Sequence, residues 1–260
     1  MTQPATTDDS PVRDPVKLRR TALILTGIMV LGGTLVFAAY QRWAKAGNQD
    51  TRPSFVHRIR KERDLRVIRQ DGSQADLLAL SGKVWVIHVD CGEQPDRAHR
   101  SREVMKRLAS HYATNPDFAL VTLMVDPPPP AETIGKLKGM ADSLGAALPQ
   151  WWVATNEAKT LHKFIQQELK ANVRPYRKDG SWTFDTSITL VDRQGHVRRA
   201  VVPQQRVPGP PYVAIFDFDE ASSWDARKVL TGTNLSNEAQ LERLLRETIE
   251  LLLAEPAETT

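Results

Sequence analysis

The sequence holds one cysteine among 260 residues. A single thiol excludes an intrachain disulfide framework, a four-cysteine zinc site and a dithiol redox cycle within one chain. Histidine is scarce too. The six histidines, at 57, 88, 99, 111, 162 and 196, form no His-x-His or His-x-x-x-His pair, so no local metal motif appears. Charge of one sign is not in strong surplus: 35 Lys and Arg stand against 31 Asp and Glu, a formal net charge of +4 with a pI near 9.2. That balance excludes a polybasic nucleic-acid binder, and no nucleic-acid partner is expected. No phosphate loop, catalytic triad, zinc-hydrolase motif or dinucleotide fingerprint occurs. What is there, 41% apolar and 25% charged residues, is ordinary globular composition. The length suits one large domain or two small ones.

One uncharged run stands out, from Thr21 to Tyr40. At about 1.5 Å rise per residue it reaches roughly 30 Å, the hydrocarbon thickness of a bilayer. Arg13, Lys17, Arg19 and Arg20 precede it, Arg42 and Lys45 follow it, and Tyr40 and Trp43 sit where an interfacial aromatic belt belongs. A cleaved signal peptide is the alternative, but its apolar region would be shorter, and Ala44-Lys45-Ala46 is a poor cleavage site. The expectation is an uncleaved single-pass anchor in the inner membrane. The basic tail, residues 1–20, would stay in the cytoplasm and the bulk of the chain would face the periplasm. Gly27, Gly32 and Gly33 would let another helix approach, although glycine is common in such spans.

Residues 41–62 are polar and basic with no clear period and read as a tether. A domain is expected over 63–254, with a tail at 255–260. Residues 65–70 followed by Asp71-Gly72 predict a strand and turn. Lys83–Asp90 and Phe118–Val125 are nearly continuous apolar runs, as in strands covered on both faces. Helical spacing marks residues 96–113, 131–144 (stopped by Gly145), 157–169 and 236–254. Residues 187–192 and 196–202, around Arg193-Gln194-Gly195, predict a hairpin. Strands alternating with helices, then a hairpin and a closing helix, are the element order of an α/β, thioredoxin-like three-layer domain. Residues 204–235 are too long for a plain connection and read as a docking insertion or a lid.

Four blocks carry a family resemblance: Leu80–Ile87, Val121–Pro127, Trp151–Thr155 and Asp185–Arg198. In this order and spacing they resemble the Sco/SenC family, membrane-anchored copper-binding assembly factors of cytochrome c oxidase. The resemblance spans about 65–254. It implies a thioredoxin-like fold, a tryptophan-led strand at 151–155, and a copper site built from two cysteines of a Cys-Pro-x-x-Cys-Pro turn and one histidine. Cys91 stands at the first cysteine's place, Pro95 at the second's, and about Phe184 at the histidine's. Two of the three ligands are absent. Copper(I) needs soft donors and one thiolate leaves it under-coordinated, so Cys91 is the remnant of a metal site and no cofactor is expected. His88 and Met124 are the nearest substitutes. In a strand, residues three apart face opposite ways, so His88 reads as a core histidine, and Met124 as core filler.

Asp90 and Glu93 flank Cys91 with negative charge that raises a thiol pKa, with Arg97 and Arg100 as partial offsets. The residues Arg97, His99, Arg100, Arg102, Lys106 and Arg107 form a basic helix face, read as solvated or as a surface for an acidic partner or lipid headgroups. Trp151 and Trp152 read as core plus one partly exposed ring, and Pro127–Pro130 as a rigid elbow. The expectation is a non-catalytic accessory, assembly or structural subunit of a respiratory membrane complex, with a respiratory oxidase as partner. Copper delivery through Cys91 with unidentified donors, and a single-cysteine thiol oxidoreductase, are the alternatives.

Overall fold

The computed structural model describes residues 15–47, 52–94, 96–202, 211–229 and 233–256. The chain divides into two units, one of Met1–Asp50 and Pro203–Pro211, the other of Thr51–Val202 and Tyr212–Thr260.

In the first unit a single helix, α1, runs from Pro15 to Gly47. Its segment Pro15–Arg42 is long and apolar enough to cross a membrane. The hydroxyls of Thr21, Thr26 and Thr34 donate to the carbonyls of Lys17, Ala22 and Val30 at 3.0, 2.9 and 2.9 Å. The three threonine hydroxyls are thereby satisfied inside the helix, as a hydrocarbon environment requires. The helix continues past Tyr40 into residues expected to be tether, because nothing in Gln41–Gly47 breaks it.

The second unit is built on strand β4 (Val84–Asp90), buried at every position. It pairs in parallel with β5 (Phe118–Met124) and antiparallel with β9 (Thr189–Val191). β5 pairs in parallel with β6 (Trp151–Thr155), and β9 continues antiparallel to β10 (His196–Val202). Strands β1 (Ser54–Arg58), β2 (Arg66–Arg69) and β3 (Gln74–Asp76) complete the sheet in the order β1-β10-β9-β4-β5-β6-β2-β3, with β11 (Tyr212–Ala214) also on β10. The order β5-β4-β9-β10, two parallel strands followed by an antiparallel pair, is a thioredoxin-like arrangement.

Alternation along the central strands divides the core. Val84, Val86, Phe118, Leu120, Trp151 and Val153 face one layer. That layer comprises α2 (His99–His111), α3 (Thr133–Leu144) and α6 (Asn237–Ala254). Trp85, Ile87, Val89, Ala119, Val121 and Trp152 face the other, covered by α4 (Ala158–Gln167) and by Ile59, Leu65, Leu77 and Leu80. The helices end on readable signals. Gly145 adopts φ +70 after α3, and the Ala146 N–H donates back to the Ala141 carbonyl at 2.8 Å. Ser236 caps α6 by accepting from the Ala239 N–H at 3.2 Å.

Three expectations are corrected. The tether 41–62 holds β1, an edge strand with Phe55 outward; its burial pattern is too mixed to signal a strand. Both tryptophans are buried: Trp152 lies under the Arg69 guanidinium at 4.7 Å instead of reaching solvent. The described part of 204–235 is domain structure, not a lid. β11 joins the sheet, α5 (Phe218–Ala226) contacts α6, and Phe216, Phe218 and Ala221 enter or close the core. Residues 203–210 and 230–232 lie outside the described residues.

Candidate functional site

The chain steps from β4 to β5 to β6 in one direction, then returns through α4 to lay β9 on the other side of β4. Sheets of this kind open a crevice at the carboxyl end of the strand where direction reverses. Here that strand is β4, and the residue after it is Cys91. A cleft of about 630 Å³ lies there, lined among others by Gly92, Met124, Asp126, Pro127, Met140 and Trp182.

Two carboxylates set the turn. Asp90, fully buried, accepts the Cys91 N–H at 2.7 Å through Oδ1. It also takes both Nε and Nη2 of Arg102 at 2.5 Å, while His88 Nε2 stands 3.5 Å away. Burial pulls the Asp90 carboxyl up, but His88 and Arg102 together hold it below its ordinary value. Asp126 accepts the Gly92 and Glu93 N–H groups at 2.9 and 2.8 Å. The turn is therefore pinned by side chains from β4 and from the loop after β5, and Arg102 on α2 ties it to the helix layer.

The Cys91 thiol is inaccessible to solvent. Burial pushes its pKa up to about 12, with Asp126 as the next contributor. The direction matches the expectation, but the responsible carboxylate differs. Asp90 is matched by Arg102, and Glu93 by Arg177 at 3.1 Å. Of the expected offsets, Arg100 is committed to Asp219 and Glu238, and Arg97 lies over the Phe184 ring at 5.2 Å.

Of the residues weighed as copper donors, Cys91 and Met124 sit in different core layers, Cys91 with Trp85 and Val89 and Met124 in the opposite one. His88 turns toward Thr122, whose Oγ1 lies 3.2 Å from Nδ1 and accepts the Trp151 indole N–H at 2.9 Å. It is a core histidine, as expected. Phe184 is buried and offers no donor, and Pro95 lies outside the described residues. Among the described residues no group of three or more His, Cys, Asp or Glu could hold a metal ion. Cys91 is thus a buried thiol with a raised pKa, and the ring of Phe184, capped by the Arg97 guanidinium, carries no donor atom.

The basic face of α2 is not a free surface. Arg100, Arg102, Lys106 and Arg107 each have an acidic partner, at Glu238, Asp90, Glu103 and Glu242. Two of those partners come from α6, more than a hundred residues away. Sequence reasoning also missed the hairpin of β7 (Tyr176–Lys178) and β8 (Ser181–Thr183), which borders the cleft through Arg177 and Trp182. Its signal was present: Asp179-Gly180 is a hairpin turn dipeptide, and both residues have positive φ, 51 and 80.

No family model and no curated protein matches the sequence. Several solved structures are similar. A SCO1/SenC family lipoprotein from Bacillus anthracis str. Ames is 19% identical, with 60% of this chain and 90% of that one covered at a TM-score of 0.47. BsSco, a member of the Sco family of cytochrome c oxidase assembly proteins, is 20% identical over 70% of this chain and 100% of that one, with TM-score 0.47. Arabidopsis thaliana ScoI with copper bound is 12% identical over 71% and 97%, with TM-score 0.46.

Proposed function

We propose that this chain is a Sco/SenC-like protein held by α1 in the inner membrane, its thioredoxin-like domain facing the periplasm. It serves a respiratory oxidase or related complex as a non-catalytic assembly or structural factor, and it does not carry copper. The observation that carries this reading is the state of the crevice after β4. The sole cysteine is buried and held as a thiol, and the position that would supply imidazole is Phe184 under Arg97. Loss of the ligands with retention of the scaffold leaves shape and surface as what the domain offers a partner. Fold alone does not assign an activity, so the partner is the part to be tested.

A second reading keeps copper delivery. It draws on Met124, whose sulfur lies 3.5 Å from where a Gly92 side chain would begin, so one soft donor does border the Cys91 turn.

The test of the partner is solubilisation of membranes in mild detergent, capture of the full chain, and mass spectrometry of what accompanies it. The proposal predicts stoichiometric oxidase subunits or their assembly proteins. The chain recovered alone contradicts it.

A further inference from the structure

The sheet ladder brings basic side chains to the end of the domain opposite the Cys91 crevice. Trp85 of β4 lies across from Val191 of β9, Val191 from Val197 of β10, and Val197 from His57 of β1. Arg58 is therefore level with Val84, where β4 begins. Cys91 lies beyond the other end of that strand, about 20 Å away. The Ile59 N–H donates to the Gly195 carbonyl at 2.9 Å, which carries Arg60 and Lys61 past the β9–β10 turn. The Gly82 N–H donates to the Arg193 carbonyl of the same turn at 2.9 Å and brings Lys83 to this end as well.

These charges are uncommitted. Arg58, Arg60 and Lys61 are exposed and Lys83 is half-buried. Among the described residues none of the four pairs with an acid. Most nearby acids are engaged elsewhere: Asp117 with Arg193, Glu168 with His57 and Arg63, Glu255 with Arg198, and Asp64 with the Leu65 and Leu78 N–H groups. Glu62 is one exposed acid among the four cations. Phe55, on the same edge strand, is 57% exposed, and its ring meets His196, the cross-strand neighbour of Arg58, edge-on at 5.1 Å. Cations beside an exposed aromatic ring make a surface suited to anionic lipid headgroups.

Chain length points to the same partner. Residues 48–51 are all that separate α1 from Arg52, and fully extended this link reaches at most about 18 Å. With α1 in a bilayer, so short a link keeps the domain close to the headgroups, and charge then decides which face turns to them.

We infer that the base of the sheet, formed by Arg58, Arg60, Lys61 and Lys83 with Phe55 at its edge, docks on the headgroups of an anionic phospholipid bilayer and turns the Cys91 crevice away from it. The inference rests on reading α1 as a membrane anchor, and it adds an orientation: a protein partner reaches the crevice from the aqueous side.

The test is energy transfer in vesicles carrying the full chain. A donor dye is placed at the base through Gln194→Cys, or at the crevice through Lys136→Cys, each combined with Cys91→Ser, and the acceptor dye sits on a lipid headgroup. In mixed phosphatidylglycerol and phosphatidylcholine, transfer from the base exceeds transfer from the crevice. The difference shrinks in phosphatidylcholine alone and with added salt. Arg58→Gln, Arg60→Gln and Lys61→Gln together weaken docking by on the order of a hundredfold, at roughly fivefold per charge, and abolish the difference. Transfer from the base no greater than from the crevice, or a difference indifferent to lipid charge, overturns the docking. If the triple variant fails to fold, the lipid and salt series with the native charges decide. Release of the chain from the vesicles by alkaline carbonate overturns the anchor, while the effect of lipid charge on the base signal still judges the patch.

Discussion

Replacing Asp90 by Asn is the perturbation that best probes how the crevice is built. The wild-type carboxylate is inaccessible to solvent, and it accepts the Cys91 N–H and two Arg102 nitrogens. The amide keeps the shape but not the charge, and it turns an NH₂ group toward Arg102. The guanidinium, only 15% exposed, is left without its counter-ion. Removing one partner of a buried ion pair costs about 3–5 kcal/mol, a large share of a domain's typical total of about 5–15 kcal/mol. For a domain of this size that corresponds to a fall in Tm of roughly 6–20 °C. The assay is thermal and urea unfolding of the full chain in mild detergent, followed by tryptophan fluorescence. A second variant adds Arg102→Met. With both charges gone the pair is replaced by groups of similar volume, and most of the loss is recovered. The pH dependence has a defined sign. The folded Asp90 pKa lies below its ordinary 3.8, so its contribution is complete above about pH 4. The contribution is lost as pH falls through the folded value, and Asp90→Asn flattens that acid limb. A loss below about 1 kcal/mol, the range of an exposed pair, refutes the claim that this ion pair holds the turn.

Three other outcomes are expected. With burial pushing its thiol pKa from 9.0 up to about 12, Cys91 is alkylated more slowly at pH 7 than a free cysteine, roughly tenfold or more; labelling at the free-thiol rate supports the thiol-enzyme alternative. Alkaline carbonate washing leaves the full-length chain in the membrane fraction, and N-terminal sequencing that begins beyond Tyr40 contradicts an uncleaved anchor. The double variant Pro95→Cys with Phe184→His restores the donor types that the Sco/SenC resemblance implies, and it gains one copper(I) per chain in a chelator-competition titration. No gain in that variant contradicts the alignment of Cys91 and Phe184 with the family's ligands.

Much of the sheet is legible because its signals are local. β4 and β5 are apolar on both faces, so their runs read as buried strands without any knowledge of neighbours. Gly145 and Ser236 mark helix ends by conformation and hydroxyl chemistry that a few residues determine. β1 is hidden because Ser54–Arg58 is short and half exposed, and it exists only because β10 offers an edge. α5 is signalled by Asp217, which caps it by accepting the Glu220 N–H at 2.9 Å, but its nine residues carry too little helical periodicity to stand out from the loop around them. The crevice shows the same division. That the turn after β4 holds a single cysteine, and position 184 a phenylalanine, is visible at single positions. The pairing of Asp90 with Arg102, the clamp by Asp126 and the filling of α2's charges by α6 join residues that only the fold brings together. The basic face of α2 therefore looked free when it was not.

Copper(I) titration of the full chain in mild detergent, against a chelator of known affinity, tests the central claim most directly. The account predicts that the wild-type chain takes no stoichiometric copper from the competitor, and that Cys91→Ser gives the same curve. One tightly bound copper per chain, lost in Cys91→Ser, contradicts it.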